Sequence, residues 1–279
     1  MCVQGGDGLA ETLLEAIRMS VYTCQQQFEY ERWNCTPHGH SRMLTLKKAY
    51  KETAALYAFS AAGVAHAVAR ACAAGRLRKC HCAEWRWGGC GDNLAYGRTF
   101  ATKFLDSGSI DKARSSSGHL KKGEEERSVV EQLVKRTCKC HGVSGSCSVK
   151  TCWNQLAAFS ETAAVIKNRY DNAVQVNVEI RENASHLRTV SVSAGDHRVD
   201  RKELIYQQRS PDFCVANPLS PGTTDRQCLR GENCDILCCG RGYNVHRLTV
   251  STPCKCKLIL CCQVECQNCL VEKTIHTCK

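Results

Sequence analysis

The chain has 279 residues, room for two domains, with a formal net charge of +11 and 23 cysteines. Cysteine at that density argues for disulfides in an oxidising compartment and against a cytosolic or nuclear protein. Nucleic acid would match the charge but is scarce there; a basic extracellular surface suits heparan sulfate proteoglycans, other sulfated glycans or anionic membranes.

Twelve of the cysteines fall between Cys214 and Cys278, a stretch poor in Leu, Ile, Val and Phe. A segment with so little to bury must be held by cross-links. An odd total leaves one cysteine without an intrachain partner. Cys2 stands apart, and no apolar run follows Met1. The chain is therefore expected to be a fragment of a longer secreted protein, with its signal peptide and the partner of Cys2 upstream.

Leu9, Leu13, Ile17, Val21 and Phe28 recur at spacings of four and seven, which predicts a helix over 8–28. A longer helix is predicted over 44–74. Its Ala-rich run from Ala54 to Ala69 is broken by Ser60, Gly63 and His66. That run is shorter than the ~20 apolar residues a membrane span needs. Cys72, Cys80, Cys82 and Cys90 then punctuate a loop with Trp85 and Trp87. His81 between two cysteines could suggest zinc, but two disulfides fit the rest of the chain better.

Further helices are predicted over 93–105, 125–135 and 153–170. Val174, Val176, Val178 and Ile180 alternate as a half-buried strand does, and Leu187, Val190 and Val192 suggest a second. Asn34-Cys35-Thr36 and Asn183-Ala184-Ser185 are glycosylation sequons. The polar stretch 196–208 reads as a linker between a domain at 1–208 and one at 209–279. In the second, Cys254 and Cys256 lead into a segment that Cys266 and Cys269 lead out of. Nested pairing of Cys256 with Cys266 and Cys254 with Cys269 makes a stapled hairpin over 254–269. Leu258, Ile259 and Leu260 would sit near its tip as an exposed apolar contact surface.

At the centre stands Cys138-Lys139-Cys140-His141-Gly142-Val143-Ser144-Gly145-Ser146-Cys147, with Cys152 beyond it. If Cys140 pairs with Cys147 and Cys138 with Cys152, residues 138–152 form a doubly stapled hairpin with Ser144 at its tip. Gly142 to Ser146 nearly matches the nucleophile elbow G-x-S-x-G, but Ser146 takes the place of the last glycine, and the strand–turn–helix setting is missing. No carboxylate lies in the hairpin to orient His141 as a base. Cys138, Cys140, His141 and Cys147 could in principle bind zinc, but the disulfide framework argues against it. The chain reads as a binding module that needs no metal, not as an enzyme.

The central decapeptide, continued by Lys150-Thr151-Cys152-Trp153, resembles the signature of the Wnt family of secreted, lipid-modified signalling glycoproteins. Glu31-Arg32-Trp33-Asn34-Cys35, Cys90-Gly91-Asp92-Asn93, Cys238-Cys239-Gly240-Arg241-Gly242-Tyr243 and the last cysteines resemble Wnt segments in order. Gly8 to Leu13 and Lys51 to Ala54 look most like the subfamily numbered nine.

The resemblance implies an α+β protein: a helical N-terminal domain with a small β element and a thumb hairpin, then a cysteine-rich β-hairpin domain with an index finger. It implies a monounsaturated fatty acyl ester on Ser144, attached by the acyltransferase Porcupine, with no other cofactor. His141, Gly142, Val143, Ser144 and Gly145 of the thumb, with Leu258, Ile259 and Leu260 of the finger, would contact the cysteine-rich domain of a Frizzled receptor. A co-receptor of the lipoprotein-receptor-related class and the carrier Wntless are the other partners it implies. Localisation would be the extracellular space and matrix, with glycans on Asn34 and Asn183.

The family's cross-links fall on Cys24–Cys35, Cys72–Cys80, Cys82–Cys90 and the thumb pairs. In the second domain they fall on Cys214–Cys239, Cys228–Cys234, Cys238–Cys278, the finger pairs and the vicinal Cys261–Cys262. Cys2 is left over. Leu260 stands where an aromatic residue is usual, the loop from Cys82 to Cys90 is short, and Asp225 replaces a common glycine. The alternative reading is a disulfide-rich lipid carrier or growth-factor-like protein that does not engage Frizzled.

Overall fold

A computed structural model describes residues 8–35, 39–87, 89–107, 129–178, 189–191, 203–259 and 263–279. The chain divides into two compact units, Met1–Glu29 with Cys35–Pro211, and Tyr30–Asn34 with Asp212–Lys279. The content is α+β. Among the described residues ten disulfides close: Cys24–Cys35, Cys72–Cys80, Cys82–Cys90, Cys138–Cys152 and Cys140–Cys147 in the first unit, and Cys214–Cys239, Cys228–Cys234, Cys238–Cys278, Cys254–Cys269 and Cys256–Cys266 in the second. Cys2, Asn183, Leu260, Cys261 and Cys262 lie outside the described residues.

The first unit is built on helix α1 (Leu9–Gln27), α2 (Gly39–Leu46), α3 (Lys51–Ala73), α4 (Leu94–Ser107) and α5 (Phe159–Asp171). α3 is buried almost all round. By length and composition it could cross a membrane, yet 83% of its most apolar window is buried against the protein. α1, α4 and α5 pack on it.

Small residues set these distances. A Cβ on Gly63 would lie 1.9 Å from Ser20 Oγ, and one on Gly97 would lie 2.4 Å from the Ala65 carbonyl oxygen. Ser20 Oγ donates to the carbonyls of Ala16 and Phe59 and so stitches α1 to α3. The face α1 buries is therefore Leu13, Ala16, Ser20 and Cys24. Ile17, from the expected apolar stripe, is 58% exposed. Close approach selected a small-residue face over the larger aliphatic one. At the end of the bundle Phe28 meets Tyr170 edge-on at 4.8 Å, and Tyr170 Oη donates to the buried Glu52, which also accepts from Ser210 Oγ.

Four sequence expectations need correction. The helix over 44–74 is two helices, because Thr53 Oγ1 donates to the Thr45 carbonyl at 2.8 Å and Tyr50 is extended. Only 129–132 is helical within the described part of 125–135, and Val134 begins a strand. The helix over 153–170 starts at Phe159, since Trp153 and Leu156 belong to a strand paired with Thr137 and Val134. Within the linker 196–208, Ile205–Tyr206 pairs parallel with Val174–Val178, which also pairs antiparallel with Thr189–Ser191.

The second unit has a core made mainly of sulfur. Cys228, Cys234, Cys238 and Cys278 pack with Leu237 and the partly buried Tyr243. Arg241 reaches the carbonyls of Lys279 and Cys214 and the Thr223 hydroxyl, fixing the turn that feeds the hairpin. Arg226 donates to the Arg32 carbonyl, and Arg32 Nε to that of Ile236, which ties in the stretch Tyr30–Asn34. The hairpin itself, Tyr243–Ile259 with Gln263–Cys278, is longer than the expected 254–269 and mostly exposed. With a sequence separation of 40 between its partners, Cys238–Cys278 alone contributes about 4 kcal/mol in the chain-entropy picture.

Two predictions follow from the helical unit. Ala normally stabilises a helix interior over Gly by about 1 kcal/mol. Gly97→Ala should instead lower stability by about 1–3 kcal/mol, because its methyl would strike the backbone of α3. Urea unfolding of the two proteins checks the sign. The buried His66 donates from Nε2 to the Ala157 carbonyl at 3.0 Å, while its Nδ1 has no partner among the described residues. Burial, aided by Arg70, holds the imidazole below its ordinary value, against the opposing pull of the Ala157 bond, Asp92 and Glu15. The unfolded chain therefore binds the proton first, and stability falls as pH drops through about 6.5, by up to about 1.4 kcal/mol per pH unit, until the folded value is reached. Melting of His66→Gln between neutral pH and about pH 5 should lack this slope.

Candidate functional site

The thumb pairs β1 (Val134–Cys140) with β2 (Lys150–Leu156) in strict antiparallel register. Cys138 lies directly opposite Cys152, so their disulfide crosses the ribbon, and Cys140–Cys147 closes the loop above it. The tip is a compact turn. His141 N–H donates to the Val149 carbonyl, Gly142 N–H to Ser146, Gly145 N–H to Gly142 and Ser146 N–H to Val143. Gly142 has no room for a side chain, since a Cβ would fall 2.1 Å from Ser146 Oγ.

Ser144 occupies the left-handed region at φ 56°, ψ 28°, and Gly145 follows at φ 76°. An L-residue there costs about 1–2 kcal/mol, and Ser gains no turn advantage over Gly. Ser144 is exposed, beside Val143 at 89% exposure.

His141 is not poised as a base. Its Nε2 lies 2.7 Å from Thr151 Oγ1, and its ring stacks on Trp87 with centroids 4.2 Å apart. The cysteines around it are cystine sulfurs, which lack the thiolate a metal needs. The same holds where Cys228, Cys238 and Cys278 bring their sulfurs within 4.8 Å of one another.

The hairpin of the second unit carries Leu258 opposite Val264, with Leu258 76% exposed and Ile259 also exposed. Its register slips between Glu265 and Gln267, and Lys255 there has φ 48°. Cys256–Cys266 lies within the bulge, and Cys254–Cys269 closes the ribbon beside it. Thus His141 to Gly145 gather at one tip, and Leu258 and Ile259 at the end of another ribbon. Asn34 is half-buried beside the buried Cys35.

Sequence reasoning missed the groups that hold the thumb at its base. Asp92 Oδ2 accepts from Leu156 N–H, and Asp92 N–H donates to Asn154. Asn93 Oδ1 accepts from Tyr96 N–H, capping α4. An Asp-Asn pair just before an apolar helix was the available signal.

The profile of the wnt family matches residues 1–279. Protein Wnt-9a of Gallus gallus is 42% identical over 293 residues, covering 100% of this chain and 82% of that protein. Protein Wnt-9b of Homo sapiens is 44% identical over 291 residues, covering 98% and 80%. Among solved structures, a chain of human WLS in complex with WNT8A superposes with a TM-score of 0.71 at 32% identity, over 96% of this chain and 93% of that one. The N-terminal domain and linker of Drosophila WntD shares the fold at a TM-score of 0.51 and 18% identity, over 74% of this chain and 98% of that one. The cystine-stapled thumb, the sulfur-cored hairpin unit and these likenesses agree, and the chain belongs to the Wnt family, near its nine-numbered members.

Proposed function

We propose that this secreted Wnt signalling protein is a receptor ligand, not an enzyme, that carries a monounsaturated fatty acyl ester on Ser144 and offers it to the cysteine-rich domain of a Frizzled receptor. The observation that carries this reading is Ser144 itself, an exposed hydroxyl in a left-handed conformation at the tip of a doubly cross-linked ribbon. Ser144 is then the acceptor in an acyl transfer by Porcupine: its Oγ bonds the acyl carbon, and the hydroxyl proton leaves with the donor's leaving group.

Burying roughly a dozen methylenes at ~0.8 kcal/mol each supplies on the order of 10 kcal/mol gross. That exceeds what a modest protein contact yields after association costs. Leu258 and Ile259, on a ribbon of their own, supply the second, finger-like contact. A single chain anchors to membranes only marginally, so a carrier is needed in transit. The likeness to a chain solved with WLS supports Wntless in that role. A lipoprotein-receptor-related co-receptor, glycans on Asn34 and Asn183, and heparan sulfate proteoglycans of the extracellular matrix complete the reading. The formal charge of +11 favours the last.

Intact mass of the secreted protein should show one acyl adduct that Ser144→Gly abolishes. Glycine suits the φ of 56°, so this variant removes the hydroxyl without distorting the tip. Affinity for a Frizzled cysteine-rich domain should fall by at least about a hundredfold. A wild-type chain that binds Frizzled with no adduct would sink the reading. Gly142→Ala should lower acyl occupancy while the melting temperature stays within a few degrees, because the atoms nearest its methyl belong to Ser146 and Ser148 of the tip itself.

A further inference from the structure

We infer that the loop closed by Cys82–Cys90 is a bracket that orients the thumb, and that Trp87 and Thr151 are positioning residues for Ser144. The meaning given to Ser144 rests on the reading above; the bracket rests on contacts within the first unit.

Those contacts climb one face of the ribbon from base to tip. At the base, Asp92 Oδ2 takes the Leu156 N–H at 2.7 Å, and Asp92 N–H reaches the Asn154 carbonyl at 3.2 Å. One step up, Gly89 lies flat on the Trp153 ring, so close that a Cβ would sit 2.3 Å from it. Above that, Thr151 Oγ1 donates to the Trp87 carbonyl at 2.6 Å. At the top, the Trp87 ring stacks on His141, whose backbone bond to Val149 opens the tip turn. Trp153, Thr151 and His141 share this face because side chains alternate along a strand.

The arrangement fixes a proton. Thr151 has one hydroxyl hydrogen, and the Trp87 carbonyl can only accept it. Toward His141, Thr151 Oγ1 therefore accepts, and Nε2 must carry a hydrogen. The order of donation runs from His141 to Thr151 to the Trp87 backbone, while the indole of the same Trp87 covers the imidazole. Loop and thumb are closed on each other by one ring of contacts. A bare two-stranded ribbon is marginal in water. The disulfides fix its width, and the bracket fixes its direction. Trp87 is 62% exposed, so it contributes little to the core, and its removal should leave the fold standing.

Hydrogen exchange read by mass spectrometry, in chains carrying Ser144→Gly so that no lipid intervenes, tests the bracket. Trp87→Ala and Thr151→Val should each speed exchange at the amides of His141, Gly142 and Ser146 by about tenfold, with α3 unchanged. Trp87→Phe and Thr151→Ser should stay near the parent. Unchanged tip exchange in Trp87→Ala, or equal acceleration in Trp87→Phe, would overturn the bracket. A nitrogen-15 spectrum of the parent chain offers a check independent of any variant: neutral His141 should be the Nε2–H tautomer, and the Nδ1–H form would refute the ring of donors. In chains that keep Ser144, Trp87→Ala should reduce acyl occupancy severalfold. Full occupancy despite a loosened tip would remove the positioning role. If exchange responds as expected but no chain ever carries an adduct, the bracket stands and the acylation reading falls.

Discussion

A two-stranded ribbon has no second layer to bury, and this chain builds two long ones. Each is held by covalent bonds across the strands where a core would otherwise act. Cys138 opposite Cys152 is the simplest case: the disulfide joins residues already paired in register, so the ribbon cannot slide without breaking a bond. On the longer ribbon Cys256–Cys266 sits within a bulge, where the register slips among the described residues, and Cys254–Cys269 closes the ribbon beside it. Below it, the second unit replaces aliphatic packing with cystine sulfur around Leu237. Cross-linking by disulfide thus makes possible the exposed tips on which the functional reading depends.

The helical unit solves the opposite problem. It has ample apolar residues and obtains rigidity by bringing backbones close together. Ala-rich α3 is enclosed because its Gly63 presents no side chain to α1 and Gly97 of α4 presents none to it. The chain enters α4 through Asp92 and Asn93, which join helix to ribbon by hydrogen bonds to both. The thumb therefore stands on a base whose stiffness comes from packing density, while its own stiffness comes from disulfides and from Trp87.

Much of this was legible in the sequence. α1 and α4 and the Val174 strand were visible because their apolar period is intact. The stapled hairpins were visible because two cysteines lead into each tip and two lead out of it. The break at 47–50 was not, since no Gly or Pro marks it; a tertiary hydrogen bond from Thr53 makes it. Trp153 and Leu156 misled because they continue the helical spacing of Phe159 and Ile166 while belonging to a strand. The family resemblance included Asp92 and Thr151 in its motifs without giving them a role, and it did not include Trp87. These act through backbone carbonyls and amides, and a motif does not display its partners.

The most informative residues are those that defy local preference. Ile17 is exposed although aliphatic, because a smaller face packs closer. Ser144 is left-handed although glycine would sit there more easily, and the residue after it is a glycine. The first departure is explained by packing within the protein. No hydrogen bond within the tip turn engages the hydroxyl of the second, which leaves it open to the acyl transfer proposed for it.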